Sequence, residues 1–279
     1  MSELKLMKGN EALAEAAIRA GVDAYFGYPI TPQTEIIEYL MTERPENRTG
    51  MVVLQAESEL AAINMVYGAA STGKKALTSS SSPGISLKLE GISYLAGAEL
   101  PAVIVNVVRG GPGLGTIQPS QADYFQSVKG GGHGDYKLYV LAPASVQEMA
   151  DFVEDAFDIA FKYRAPVLIL SDGLIGQMME KVILKDQKPR WTDAELIEKN
   201  GDWAVTGKKG RERNIITSLD LQSEKMEARV HRLQKKYAQM EKEDLRFEKI
   251  NCDDADYLLV AYGSSARISQ KAVELARAK

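Results

Sequence analysis

Two hydrophobic periods alternate along residues 1–185. Apolar positions recur at spacings of three and four in "NEALAEAAIRAG", "PQTEIIEYLMTE", "SELAAINMVYGAASTG", "ISLKLEGISYLAGAE" and "VQEMADFVEDAFDIAFKYR". That period predicts helices. Gly21 stands at a C-cap position and Pro32 near a first turn. Between these segments lie short runs of strand type: "VDAYFGYP", "GMVVLQA", "KALTSSSSPG", "PAVIVNVVRGG", "YKLYVLAPAS" and "APVLILSDG". Several are apolar on both alternating faces, as strands covered on both sides must be. The alternation predicts an α/β fold, a parallel sheet with helices on both faces. Ligands in such folds sit outside the carboxyl ends of the strands. Here those ends carry "GYPITPQ", "QAESE", "TSSSSPG", "VRGGPGLGT" and "LSDGLIG".

The texture changes over residues 186–250. A polar stretch anchored only by Trp191 and Trp203 reads as a surface excursion, and a charged helix follows. Met226, Val230, Leu233, Tyr237 and Met240 form a narrow seam on it. Packing against its own domain is preferred to an intermolecular coiled coil. Residues 251–279 read as one strand, a Gly/Ser turn and one helix, the first βα unit of a further α/β domain. One such unit cannot cover both faces of its strand, so the expectation is a domain cut short.

Charge and composition narrow the function. The 279 residues are 45% hydrophobic and 26% charged with a formal net charge of −4, which gives no electrostatic case for nucleic acid. No stretch has signal-peptide character or the roughly 18 apolar residues of a membrane span, so the expectation is a cytoplasmic protein away from membranes. One cysteine, Cys252, and two histidines, His133 and His231, rule out a four-cysteine cluster made by this chain alone and disfavour a histidine metal centre. No metal ligands are assigned to it.

Some motifs mislead. "GAASTGKK" nearly matches a phosphate loop, but Lys75 replaces the hydroxyl residue and the segment follows a helix. Ser71 and Lys74 have an S-x-x-K spacing without the other serine-hydrolase elements. His133, in "GGGHGD", reads as an exposed loop histidine.

"GYPITPQTEI", "ESELAAINMVYGA", "SSSPGISL" and "RGGPGLGT" occur in that order, with Arg109 closing a buried strand. Together they resemble the alpha subunit of the 2-oxoacid:ferredoxin oxidoreductases. "GGGHGDYKLYVLAPASVQEM" is most similar to the 2-ketoisovalerate branch, with the 2-oxoglutarate enzymes next. The resemblance runs from about Gly9 to Asp172 and resumes at "ADYLLVAYGSSARI". It implies a thiamine diphosphate enzyme built from separate subunits. Residues 1–185 would be the domain holding the aminopyrimidine ring, and residues 251–279 the start of a transketolase C-terminal-like domain. A catalytic beta subunit would bind most of the diphosphate and its magnesium. Partner subunits, including gamma and a ferredoxin-like delta, would carry iron–sulfur clusters in a hetero-oligomer with two-fold symmetry. The complex would oxidatively decarboxylate a 2-oxoacid with CoA to acyl-CoA and CO2, passing electrons to ferredoxin.

The same resemblance assigns residues. Glu59 falls on the family's glutamate, which bonds the ring nitrogen N1′ and favours the imino tautomer of the cofactor. An apolar setting lets such a carboxyl hold a proton. Glu57, about 200° away on a continued helix, reads as a first-turn charge. Thr31 and Arg109 carry over as substrate groups, since arginine matches a planar carboxylate. Pro29 and Ile30 fall on the cofactor side of the same loop. Tyr28 and Ser81, one of the hydroxyls of Ser79 to Ser82, are pocket candidates, with Thr116 and Gln121 at its floor. The rival readings are a non-catalytic scaffold subunit, a nucleotide-binding α/β protein, and a thiamine decarboxylase branch without ferredoxin.

Overall fold

The computed structural model describes residues 3–278. Strand β1 (Glu3–Lys8) leads into helix α1 (Gly9–Arg19), which ends where Gly21 takes a φ of 70°. Then come β2 (Ala24–Gly27), α2 (Thr34–Glu43), the single turn α3 (Pro45–Arg48) and β3 (Val52–Gln55). They are followed by α4 (Glu59–Ser71), β4 (Ala76–Ser80), α5 (Pro83–Gly97) and β5 (Ala102–Val108). A long loop carries the short α6 (Tyr124–Val128) to β6 (Tyr139–Leu141), α7 (Val146–Tyr163), β7 (Pro166–Asp172) and α8 (Gly173–Gln177). Strand β8 (Met179–Leu184) returns antiparallel to β1, pairing Glu3 with Leu184 through to Lys8 with Met179. Beyond it lie α9 (Asp193–Asn200), α10 (Ser223–Glu243) and α11 (Gly263–Arg277).

Six strands form the expected parallel sheet in the order β3-β2-β4-β5-β7-β6. The chain steps outward from β2 to β3, then crosses back to β4, so the order reverses between β2 and β4. A reversal of this kind leaves a crevice at the carboxyl ends. The strand period of two explains the layers. Val103, Val105 and Val107 of β5 enter one core with residues of α1, α2 and α7. Ala102, Ile104 and Val108 enter a second with α4 and α5.

The excursion after β8 is more than surface. Lys188 N donates to Arg19 O at 2.7 Å, Arg190 Nε to Thr49 O at 2.7 Å, and Asn200 Nδ2 to Gly73 O at 3.2 Å. Arg232 and Lys236 of α10 pair with Glu99. Arg19, Thr49, Gly73 and Glu99 all precede sheet strands, so this segment covers the amino-terminal end of the sheet. Trp203 is buried in the second core under the Arg164 guanidinium, 4.5 Å from its ring, and Trp191 stands edge-on to Phe161 at 5.0 Å. The seam of α10 packs on its own chain only in its second half. Leu233, Tyr237 and Met240 are buried, while Met226 and Val230 remain 42% and 39% exposed.

Pro32 stands near the first turn of α2, immediately before its N-cap Gln33. One local expectation needs correction. The strand expected near the start of residues 255–279 does not form. Tyr257, Leu258, Leu259 and Val260 are exposed, and no described strand pairs with them. A lone apolar run cannot satisfy its backbone groups as a strand. Its helix, α11, does form and lodges against β7, with Ser264 Oγ donating to Asp172 Oδ2 at 2.6 Å. Among the described residues no helix is long and apolar enough to cross a membrane.

Burial separates the two ends of the excursion energetically. Trp203→Ala should destabilise the chain by about 3 kcal/mol or more in urea unfolding. Met226→Ala should change it by less than about 0.5 kcal/mol.

Candidate active site

The loop after β2 is pinned from beneath. Gln33 is wholly buried; its Nε2 donates to Tyr28 O at 3.0 Å and its Oε1 accepts from Ser79 Oγ at 2.6 Å. Ser79 also meets the Tyr25 hydroxyl at 2.6 Å, and burial pushes that phenol up, so it stays protonated. Asn10 Nδ2 donates to Pro32 O at 2.8 Å. These bonds hold Tyr28, Pro29, Ile30 and Thr31 as a rim, with Pro29 and Ile30 half-buried and Tyr28 and Thr31 exposed.

The four serines after β4 divide into two kinds. Ser79 is committed to Gln33 and Tyr25. Ser82 is committed to β5: its N donates to Asn106 Oδ1 at 3.1 Å, and its Oγ lies 3.1 Å from both Arg109 N and Arg109 O. Ser82 is held at φ 28°, ψ −85°, a sparsely populated conformation costing on the order of 1–3 kcal/mol. Such strain persists only where surrounding bonds over-determine it, as these do. Ser80 Oγ and Ser81 Oγ, fully buried between the two committed serines, have no partner among the described residues.

Glu59 is the first residue of α4, whose N-cap Ser58 accepts from Ala61 N at 3.1 Å. It is 6% exposed, whereas Glu57 precedes the cap and is exposed. Glu57 is therefore outside the first turn, and the carboxyl facing the apolar layer is that of Glu59. Gly84 in the first turn of α5 makes room for it. A Cβ there would lie 2.7 Å from Glu59 Oε1 and closer still to Ser80 Oγ. Glu59, Ser80 and the α5 backbone thus meet at one point with no space for a methyl group.

Beneath that point lies Lys88, which sequence reasoning missed. It has no solvent exposure; its Nζ donates to Thr78 Oγ1 at 3.1 Å and to the backbone oxygen of Glu59 at 3.5 Å. Burial pulls its ammonium down from 10.5 to about 8, against the attraction of Glu59. A signal was present. Lys88 occupies an inward position in the helical stripe of Ile85, Ile92 and Leu95, all buried.

Arg109 is 7% exposed and holds two loops together. One terminal nitrogen donates to Thr31 O at 3.0 Å and the other to Leu114 O at 2.9 Å, while Nε has no partner among the described residues. The open carboxylate fork expected from the sequence is thus partly occupied by backbone, with the Nε–H left over. Arg109 and Thr31 are brought together as expected, but through the Thr31 backbone.

Other candidates fall away from this point. Gln121 is engaged with Tyr262 O at 2.8 Å and Ser265 Oγ at 2.7 Å. Thr116 is exposed and donates its backbone N–H to Gly110 O at 2.9 Å. His133 is an exposed loop residue stacked edge-on to Tyr94. "GAASTGKK" runs from α4 to β4 at the opposite end of the sheet, where Lys74 pairs with Asp23 at 3.9 Å and Asp193 at 3.5 Å.

The arrangement can hold a flat polar ligand. Ser80 Oγ, Ser81 Oγ and Arg109 Nε are buried polar atoms awaiting partners, and such groups are costly unless something bonds them. A ring carrying nitrogen atoms beside Glu59, with an anionic group toward Arg109, fits this donor set.

Residues 15–246 match the family described as pyruvate flavodoxin/ferredoxin oxidoreductase, thiamine diphosphate-binding. The ketoisovalerate oxidoreductase subunit VorB of Methanothermobacter thermautotrophicus is 50% identical over 277 residues, covering 99% of this chain and 76% of that protein. The 2-oxoglutarate synthase subunit KorA of Archaeoglobus fulgidus is 38% identical over 277 residues, covering 98% of this chain and 77% of that protein. A solved 2-oxoglutarate:ferredoxin oxidoreductase from Magnetococcus marinus, with 2-oxoglutarate, coenzyme A and succinyl-CoA bound, superposes with a TM-score of 0.82 at 27% identity. It covers 99% of this chain, which spans 52% of that one.

The buried lysine leaves a thermodynamic signature. Because the folded state lowers its pKa, the unfolded chain binds more protons between about pH 8 and 10.5, and Lys88 weighs against folding below that window. Lys88→Met should therefore be more stable than the wild type at pH 7, by up to about 3 kcal/mol. The gap should close as pH rises through the window, as read by urea unfolding at a series of pH values.

Proposed function

The chain belongs to the thiamine diphosphate-binding pyruvate flavodoxin/ferredoxin oxidoreductase family, and from that premise we propose that it is the alpha subunit of a 2-ketoisovalerate:ferredoxin oxidoreductase. The observation that carries the proposal is the buried Glu59 carboxyl, set against Gly84 and beside the unpartnered Ser80. Thiamine diphosphate, when bound, supplies a carbon nucleophile for the carbonyl of the 2-oxoacid. Glu59 would hold a proton at the ring nitrogen N1′ of the bound cofactor. The apolar walls around it exclude water and keep that proton between two partners. Ser80 and Ser81 donate or accept at the ring or the substrate oxygen. The free Nε–H of Arg109 and the Thr31 hydroxyl orient the substrate carboxylate, with Tyr28, Pro29 and Ile30 as the wall above.

The net reaction converts 2-ketoisovalerate and CoA to the branched acyl-CoA and CO2, releasing two electrons to ferredoxin. This chain has one cysteine, so the proposal assigns the iron–sulfur clusters to partner subunits. The beta subunit would hold magnesium and the diphosphate, and gamma and delta subunits would complete a cytoplasmic two-fold hetero-oligomer. Residues 1–185 would be the ring-holding unit and residues 251–279 the start of a further domain. The 50% identity to a ketoisovalerate subunit, against 38% to a 2-oxoglutarate subunit, supports the branched substrate.

In the reconstituted complex, Glu59→Gln should lower turnover by about 100-fold or more while subunit assembly persists. Unchanged turnover would leave the chain a scaffold. Assayed in parallel, 2-ketoisovalerate should give a kcat/KM at least about ten-fold above those of 2-oxoglutarate and pyruvate, a preference of about 1.4 kcal/mol. A higher value for 2-oxoglutarate would move the assignment to that branch.

A further inference from the structure

Lys88 is a buried titratable group for which the mechanism above has no use. Its surroundings leave little room for accident. Gly84, Lys88 and Gly91 lie at spacings of four and three, on the side of α5 that faces α4. A Cβ on Gly84 would lie 2.7 Å from Glu59 Oε1, and one on Gly91 2.5 Å from Ile63 Cγ2. The helices are as close as glycine permits, and the lysine is clamped between the two contacts.

The charges facing Lys88 can be named element by element. From β4 it meets the neutral Thr78, and from α4 it meets Glu59. On its own helix, Glu90 is turned to the surface and bonded to Tyr94. Glu59 is the one charged group among the described residues that acts on it. No carboxylate oxygen of the described residues lies within the 4.0 Å of an ion pair from its Nζ. A methionine or leucine would fill the position without the desolvation cost of an ammonium. A cation kept here, behind a buried acid and nowhere near solvent, is suited to act on that acid through space.

We propose that Lys88 is a positioning residue for the proton of Glu59: its buried charge favours the carboxylate form and drives the shared proton onto the ring nitrogen of a cofactor bound there. The proposal rests on the reading of Glu59 as the acid at that nitrogen. The physics is that of two charges in a low dielectric. A fixed cation stabilises carboxylate over carboxyl, and the proton that leaves Glu59 has the ring nitrogen as its neighbour. A protonated N1′ is the condition for the imino tautomer. Lys88 touches neither the ring nor the substrate and acts only through Glu59.

The test uses the assembled complex with Lys88→Met, Lys88→Gln and Glu59→Gln. Lys88→Gln keeps hydrogen-bond donors for Thr78 and the Glu59 carbonyl but removes the charge, and it carries the test should the methionine variant not assemble. The readouts are the circular dichroism bands of the amino and imino tautomers of bound thiamine diphosphate across pH, the cofactor Kd, and the melting temperature of the cofactor-free complex. Expected is a rise of about one pH unit, a ten-fold change, in the midpoint for the imino band in both Lys88 variants. The Kd should stay within a few-fold, and Lys88→Met should melt no lower than the wild type. A glutamine variant with the wild-type midpoint would make the role one of hydrogen bonding and overturn the proposal, as would unchanged midpoints in both. An imino band that survives in Glu59→Gln would overturn the reading of Glu59 itself. A band lost there, with Lys88 midpoints unmoved, overturns only the role of Lys88.

Discussion

The contact between α4 and α5 is the constraint on which the site depends. Gly84 and Gly91 bring the two helices together so closely that no methyl group fits at either point. Without that approach the Glu59 side chain, 6% exposed as it stands, would be open to water. The contact covers one side of the acid at the carboxyl end of the sheet.

The two ends of the sheet are treated in opposite ways. At the amino end, the segment after β8 satisfies backbone groups one by one through Arg190, Asn200 and Lys236, and buries Trp203. At the carboxyl end, Ser80, Ser81 and Arg109 keep buried polar atoms unpaired, and Ser82 is held in a strained conformation. Stability concentrated at one end makes tolerable the unpaired and strained groups at the other. Function commonly occupies the end where local rules are broken.

How much of this was legible in the sequence depended on whether the signal was local. The β5 and β7 runs and the α7 stripe declared their burial by period alone. Glu59 was singled out over Glu57 through the resemblance, since both carboxylates stand at the mouth of the same apolar helix. The choice among the four serines was not legible, because it turns on Tyr25, Gln33 and Asn106, each on another element. Strands β1 and β8 went unread because their pairing joins segments about 180 residues apart, and no local pattern announces a partner at that distance. The apolar run at 257–260 was read as a strand because its composition is right; what it lacks is a neighbour. Lys88 was hidden differently. One charge in an otherwise apolar stripe reads as a flaw in the pattern until the opposing helix is in place.

Arg109 shows how the pieces act together. Its terminal nitrogens bind the backbone of the loop after β2 and of the loop after β5, while its own backbone is bonded to Ser82 at the end of β4. Three loops from three strands therefore share one side chain. An acceptor arriving at Nε would complete a guanidinium already fixed on both flanks, so little side-chain freedom remains to be lost on binding. The same bonds tie the rim residues Tyr28 to Thr31 to the segment after β4 that carries Ser80 and Ser81. A ligand carboxylate bound at Arg109 would then meet one connected frame, held together by backbone bonds from three loops.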